Sequence, residues 1–242
     1  MGFFGLFGID KPSEKAIAKQ VTHVKEQYAK PDYRQMAMDK LLGWGTKESL
    51  KGLLSRFTVV VQSPHWDEEE KRWLVEQLAT RGDLAKAVLQ EFLLKSSDVT
   101  HAIKALARLC SKTELDAILS QALKACSPED YRTSQSKIEL IFALQEHGSP
   151  NLENEILPYL DDHNDDVKCA ALDVCMVQKC EISYPRILQM ISETEHSARV
   201  LRQAATAVCQ LEIPVDLHKP LAAEVAEDFV VKNGKLKPSH RG

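Results

Sequence analysis

The stretch DDHNDDVKCAALDVC, Asp161 to Cys175, places four Asp, one Asn and one His within six residues, with two Cys close behind. Such a cluster would suit a hard cation, because carboxylates and amide carbonyls are the oxygen ligands of Ca2+ and Mg2+. An EF-hand loop, however, needs Gly at its sixth position and Glu at its twelfth. Counted from Asp162, those positions hold Val167 and Asp173. The other use of the acids is to open a helix. Asp165 or Asp166 would accept hydrogen bonds from free N–H groups of the first turn and favour its positive end. That use predicts an architectural turn and no metal.

Other chemistries leave fewer traces. The six cysteines, Cys110, Cys126, Cys169, Cys175, Cys180 and Cys209, form no C-x-x-C pair. Most lie among Ala, Leu and Val, where a thiol serves as a small apolar core residue. They predict a reducing, cytoplasmic compartment. No Ser-His-Asp arrangement, glycine-rich phosphate loop or zinc spacing occurs, and no cofactor is expected. Trp44, Trp66 and Trp73 gather in the N-terminal third. Trp66 and Trp73 flank the DEEEKR run and suit packing at a helix start.

Charge is unevenly spread. Residues 1–60 carry 10 basic and 6 acidic side chains, residues 61–231 carry 17 and 29, and residues 232–242 carry 4 and none. An acidic body between two basic ends makes a poor groove for nucleic acid. No apolar run approaches the roughly 20 residues that span a bilayer. The opening MGFFGLFGIDK lacks the basic n-region and cleavage site of a signal peptide, and Leu6 stands where a myristoylation motif wants Ser or Thr.

Ala, Leu, Lys and Glu dominate and favour helix. Ser13 can cap a helix that ends before Pro31, and Asp32 one that runs to Leu42. Thr46 precedes KESLKGLLSRF, Asp67 and Glu70 stand at capping-box spacing, and Ser127-Pro128 can start another helix. TVVVQ, Thr58 to Gln62, is strand-like but short and isolated, so it reads as a connection.

These helices repeat. With Val167 as position zero, Lys168 follows at +1, Ala170 and Ala171 at +3 and +4, and Val174 at +7. With Leu201 as zero, Arg202, Ala204, Ala205 and Val208 hold the same places, 34 residues on. Val99 begins a third copy with Ala102, Ile103 and Leu106. Weaker copies start at Arg34, Lys71 and Lys137, and Gly45, Gly82, Cys110 and Gly148 follow near +11. A period of about 33 residues is one helical hairpin of a stacked array. Small residues on the 0, +3, +4, +7 face let a neighbouring helix approach closely.

GSPNLENEILPYLDDHNDDVKCAALDVC resembles a complete HEAT repeat: a turn, a first helix carrying Pro158, an acidic turn, then Val-Lys-x-x-Ala-Ala. The resemblance covers about residues 32 to 211. It implies an all-α right-handed superhelix of five or six hairpins over residues 13–231, with an apolar arm at 1–12 and a basic tail at 232–242. It also implies a curved, non-catalytic surface that binds a protein partner, with second helices lining the concave side. The side chains expected to project there are Lys104, Arg108, Lys168, Leu172, Met176, Arg202, Thr206 and Gln210. Lys168 and Arg202 can instead pair between repeats. The partner would be a peptide or helix. HEAT-like scaffolds also carry di-iron hydroxylases, DNA glycosylases and bilin lyases. This chain has no His-Glu step for a di-iron site, and a glycosylase would need a basic groove. An enzyme or nucleic-acid binder is the alternative reading.

Two ends complete the expectations. Phe3, Phe4 and Phe7 in MGFFGLFG either tuck against the first hairpin, beside Ile17, Val21, Val24 and Tyr28, or dock on a partner groove. Weak membrane contact is a lesser use of the same arm. Asn233-Gly234 between FVVK and KLK is a hairpin signal, but two strands alone are marginal, so a turn that folds back on the last helix, followed by a mobile basic end, is expected.

Overall fold

The computed structural model describes residues 12–216 and 220–239. Phe3, Phe4 and Phe7 lie outside the described residues. The chain is all-α apart from one small hairpin. Its residues divide into two compact units, with the division after Leu115.

The first unit holds α1 (Glu14–Val24), α2 (Pro31–Trp44), α3 (Lys47–Leu53), α4 (Pro64–Ala79), α5 (Gly82–Leu93) and α6 (Thr100–Leu109). The helices pack in two series, α1 on α3 on α5 and α2 on α4 on α6. Local chemistry sets their ends. Ser13 caps α1, and Thr46 and Ser49 form a reciprocal capping box at α3. Gly45 and Gly82 sit at φ +60° and +57°, backbone that glycine adopts without strain. Gly52 serves another purpose. A methyl group there would stand 2.6 Å from Val21 Cγ2, so α1 and α3 meet through its hydrogen.

Several expected boundaries are corrected here. α1 stops at Val24, so Tyr28 is not on its apolar face and is 79% exposed. Arg34 explains the turn: its Nη1 donates to the carbonyls of Glu26 (3.2 Å) and Ala29 (2.5 Å). α2 begins at Pro31 with Lys30 as cap, not Asp32. Ser63 caps α4, which leaves Asp67 and Glu70 inside the helix and free for other partners. Val59 to Gln62 is a connection, as expected.

α7 (Lys112–Lys124) spans the division. The second unit continues with α8 (Ser134–His147), α9 (Leu152–Ile156), α10 (Asp165–Gln178), α11 (Tyr184–Met190), α12 (Ala198–Gln210) and α13 (Ala223–Asp228). α10 packs between α8 and α12, and α11 and α13 lie against α12. Ser127-Pro128 starts only a turn, because α8 begins at Ser134. At the tail, β1 (Phe229–Lys232) and β2 (Lys235–Pro238) do form an antiparallel hairpin across Asn233-Gly234. Both turn residues have positive φ, +54° and +69°. The strands are not alone: β2 packs on α12, Leu236 is buried, and Pro214 bridges to Lys235. The expected basic tail is therefore structured through Ser239, whose N–H donates to the Asp228 carbonyl.

All six repeat origins are buried, and five of them lie within α2, α4, α8, α10 and α12. Val99, Val167 and Leu201 are fully buried. So are Arg34, Lys71 and Lys137, to within 4%. A cation at a core position demands a carboxylate, and the structure supplies one each time.

Candidate functional site

The acids of the opening stretch are each held. Asp162 is fully buried and accepts from Lys137 Nζ, whose other bond goes to the Ser127 carbonyl at 3.1 Å. Its second oxygen takes the Asn164 N–H at 2.8 Å. Asp161 binds Arg186 Nε at 2.8 Å, and Asp166 binds Arg199 Nη2 at 2.6 Å. Asp165 lies 3.5 Å from Lys168, and a hydrogen bond from Ser197 holds its carboxyl below the ordinary value. The capping residue is Asn164, not Asp165 or Asp166: its Oδ1 accepts from the N–H groups of Asp166 and Val167. Among the described residues no group of three or more His, Cys, Asp or Glu is placed to hold a metal.

Beside that turn lies a denser cluster. Arg186 binds Glu193 through both terminal nitrogens, at 2.7 and 2.8 Å. His196 Nε2 meets Glu193 at 2.8 Å, while its Nδ1 faces Lys168 Nζ at 3.4 Å. The bonds from Arg186 hold Glu193 below the usual carboxylate range despite partial burial. The cluster ties α10 and α11 to the start of α12.

In the first unit the acids that meet buried cations lie within a helix. Glu70, on α4, accepts from Arg34 Nη2 at 2.8 Å and from Arg56 Nε at 2.7 Å. Asp67 accepts from Arg56 Nη2 and Lys71 Nζ, both at 2.8 Å, and from the Val61 N–H at 3.0 Å. Burial pushes Asp67 up, but Lys71, Arg56 and Val61 outweigh it and its carboxyl lies below the ordinary value. Sequence reading misses this cluster, because Arg56 stands at none of the indexed offsets of the repeat and Glu70 reads as part of a capping box. The signal was present in Arg34 and Lys71, basic residues at an origin that is apolar at Val99, Val167 and Leu201.

The side chains expected to project from the second helices fare differently. In the first unit, Lys104 is exposed and makes no ion pair among the described residues, and Arg108 lies 3.8 Å from Glu76 with half its side chain exposed. In the second unit, Leu172 is fully buried, which corrects its placement on an open surface. Its helix, α10, has neighbours on two sides, so the packed face is wider than four offsets. Met176 is half-buried, and Lys168 is 12% exposed within the His196 cluster. Arg202 donates to Asp228 at 2.9 Å, Thr206 donates to the Arg202 carbonyl at 2.8 Å, and Gln210 is exposed.

A second surface lies between α1 and α2 in the first unit. A hollow of about 290 Å³ is lined by Lys19, Gln20, His23, Tyr33, Met36, Ala37 and Lys40. His23 meets Tyr33 edge-on at 5.2 Å between ring centres. Among the described residues no helix is long and apolar enough to cross a membrane. No family model, curated protein or solved structure matches the chain.

Proposed function

We propose that this protein is a non-catalytic binding module, an adaptor or scaffold whose stacked helical hairpins are HEAT-like and form a curved α-solenoid. The spacing of the six buried origins and the serial packing within each unit support the solenoid reading. Six cysteines held as thiols, of which Cys126, Cys175 and Cys180 are buried, support a reducing, cytoplasmic setting.

One observation carries the binding reading. On α6, Lys104 is exposed with no ion pair among the described residues, and Arg108 is held only loosely by Glu76 at 3.8 Å. An exposed cation without an internal partner contributes nothing to the fold and is available to an acidic partner. The test is affinity capture with the purified protein as bait, followed by measurement with the recovered partner. Lys104→Glu with Arg108→Glu should weaken that partner about tenfold while leaving the melting temperature unchanged. Unchanged affinity removes α6 as the contact. Salt-sensitive retention of the protein on duplex DNA, with no protein partner, would instead favour a nucleic-acid-binding or glycosylase-like role.

A further inference from the structure

The hollow between α1 and α2 combines three features that suit a ligand. Its rim carries Lys19 and Lys40, both exposed, and neither makes a hydrogen bond or ion pair among the described residues. Its walls carry Tyr33 and Met36, which leave 56% and 59% of their surface in water. Its floor carries Gln20, which is only 9% exposed and makes no hydrogen bond among the described residues. Its side-chain amide offers two donors and an acceptor to an occupant of the hollow. The acid beside Lys40, Asp39, is occupied by Gln35 at 2.9 Å and does not line the hollow.

Each feature selects a property of the occupant. Two unneutralised lysines on opposite helices attract carboxylates on both flanks. Tyr33 and Met36 present an aromatic edge and a pliable thioether, the surfaces that accept apolar anchors from a partner helix. Gln20 can meet a polar group at the bottom. The volume lies at the low edge of the roughly 300–1,000 Å³ of small-molecule sites, and the hollow is a shallow seam between helices, so it fits side-chain anchors better than a whole cofactor.

We propose that the α1–α2 groove docks an acidic amphipathic helix of a partner protein, with apolar anchors seated on Tyr33 and Met36 and flanking carboxylates paired with Lys19 and Lys40. The proposal rests on the binding-module reading but concerns a surface apart from Lys104 and Arg108, so the two can fail separately.

The experiment uses the full chain and a fluorescent synthetic peptide of about 16 residues, with leucines on one helical face and glutamates on the other. A second peptide carries lysines in place of the glutamates. The glutamate peptide should bind saturably in the micromolar range and the lysine peptide should not. Lys19→Glu with Lys40→Glu should weaken binding about tenfold or more, and Met36→Glu should do the same, with unchanged melting temperatures. Lys104→Glu with Arg108→Glu should leave it unaltered. Any of three results overturns the proposal. One is no saturable binding up to about 100 µM, and another is equal binding of both peptides. The third is a requirement for Lys19 and Lys40 in self-association, or in binding to phosphatidylserine vesicles, rather than in peptide binding.

Discussion

Arg34 and Val167 occupy the same place in their repeats, yet the two neighbourhoods are built on different principles. Around Val167, on α10, the core is Ala170, Ala171 and Val174, all within 4% of full burial, and the acids stay in the turn. Around Arg34, the core encloses three cations and two carboxylates. Arg34 and Arg56 share Glu70, and Arg56 and Lys71 share Asp67. Lys137 falls between these cases, with Asp162 as its single acidic partner. An apolar origin can be buried alone. A charged one requires a carboxylate: Arg34 and Lys137 take theirs, Glu70 and Asp162, from the following repeat, whereas Lys71 takes Asp67 from its own helix. The acidic turn that first suggested a metal site therefore includes one residue, Asp162, whose role is to neutralise the preceding repeat.

The largest expected effect tests that difference. Glu70→Leu leaves two buried guanidinium groups without their shared carboxylate and should cost about 3–5 kcal/mol in urea unfolding. Lys137→Met strands only Asp162, and adding Asp162→Asn should recover most of the loss, because the amide oxygen can still accept from Asn164 N–H. No single added change should rescue Glu70→Leu. Equal rescue in both units would mean that the shared carboxylate and the simple pair are energetically alike. A loss below about 1 kcal/mol for Glu70→Leu would mean that water reaches the cluster.

How much of this was legible follows from the same contrast. Helix and its period can be read wherever the origin is apolar, as at Val99, Val167 and Leu201. They fade at Arg34, Lys71 and Lys137, because a buried cation looks like a surface residue until its partner is known. For two of the three that partner is long-range: Glu70 lies 36 residues from Arg34, and Asp162 lies 25 from Lys137, whereas Lys71 pairs with Asp67 on its own helix. The tail hairpin was legible in Asn233-Gly234 and its return onto a helix was expected, but the bridge from Pro214 was not legible. Of the candidate site, Lys104 and Arg108 could be placed by offset, whereas Leu172 was misplaced because one periodic face cannot reveal two neighbours. The α1–α2 groove was invisible, since its seven lining residues share no motif.

Close approach between helices offers a second, smaller test. In the second unit it is provided by the alanine pairs Ala170-Ala171 and Ala204-Ala205, which the repeat shows plainly. In the first hairpin it is provided from outside the pattern, by Gly52 against Val21 and Ile17. Helix propensity alone favours Gly52→Ala by roughly 1 kcal/mol. The added methyl would stand 2.6 Å from Val21 Cγ2, so overpacking should win and the net effect should be a loss of about 1–2 kcal/mol. Val21→Ala in the same chain should relieve the clash, and the pair should unfold at a higher denaturant concentration than Gly52→Ala alone. A stabilised Gly52→Ala would show that α1 shifts away freely.

His101 gives the smallest effect and the sharpest contrast with Arg34. It too is buried, stacked on Phe57 at 5.5 Å between ring centres, yet no buried carboxylate meets it. Its nearest acid, Glu68 at 3.4 Å, is 59% exposed, while Lys104 and Lys71 lie on the repelling side. Burial, then Lys104, lowers its pKa from the ordinary 6.5, and Glu68 only partly opposes this. The imidazole is thus neutral where Arg34 has no choice but to stay charged. The unfolded chain binds a proton at His101 at higher pH than the native one does. Stability from this residue is therefore complete above the unfolded value and falls as pH drops through 6.5 toward the lowered native value. His101→Phe keeps an aromatic ring against Phe57 and removes the titration. The fall in melting temperature between pH 7.5 and 5.5 should be shallower in that variant than in the parent chain. Parallel pH profiles would show that His101 takes up its proton without penalty, and Glu68 would then be acting as the carboxylate that the other buried cations receive from within the core.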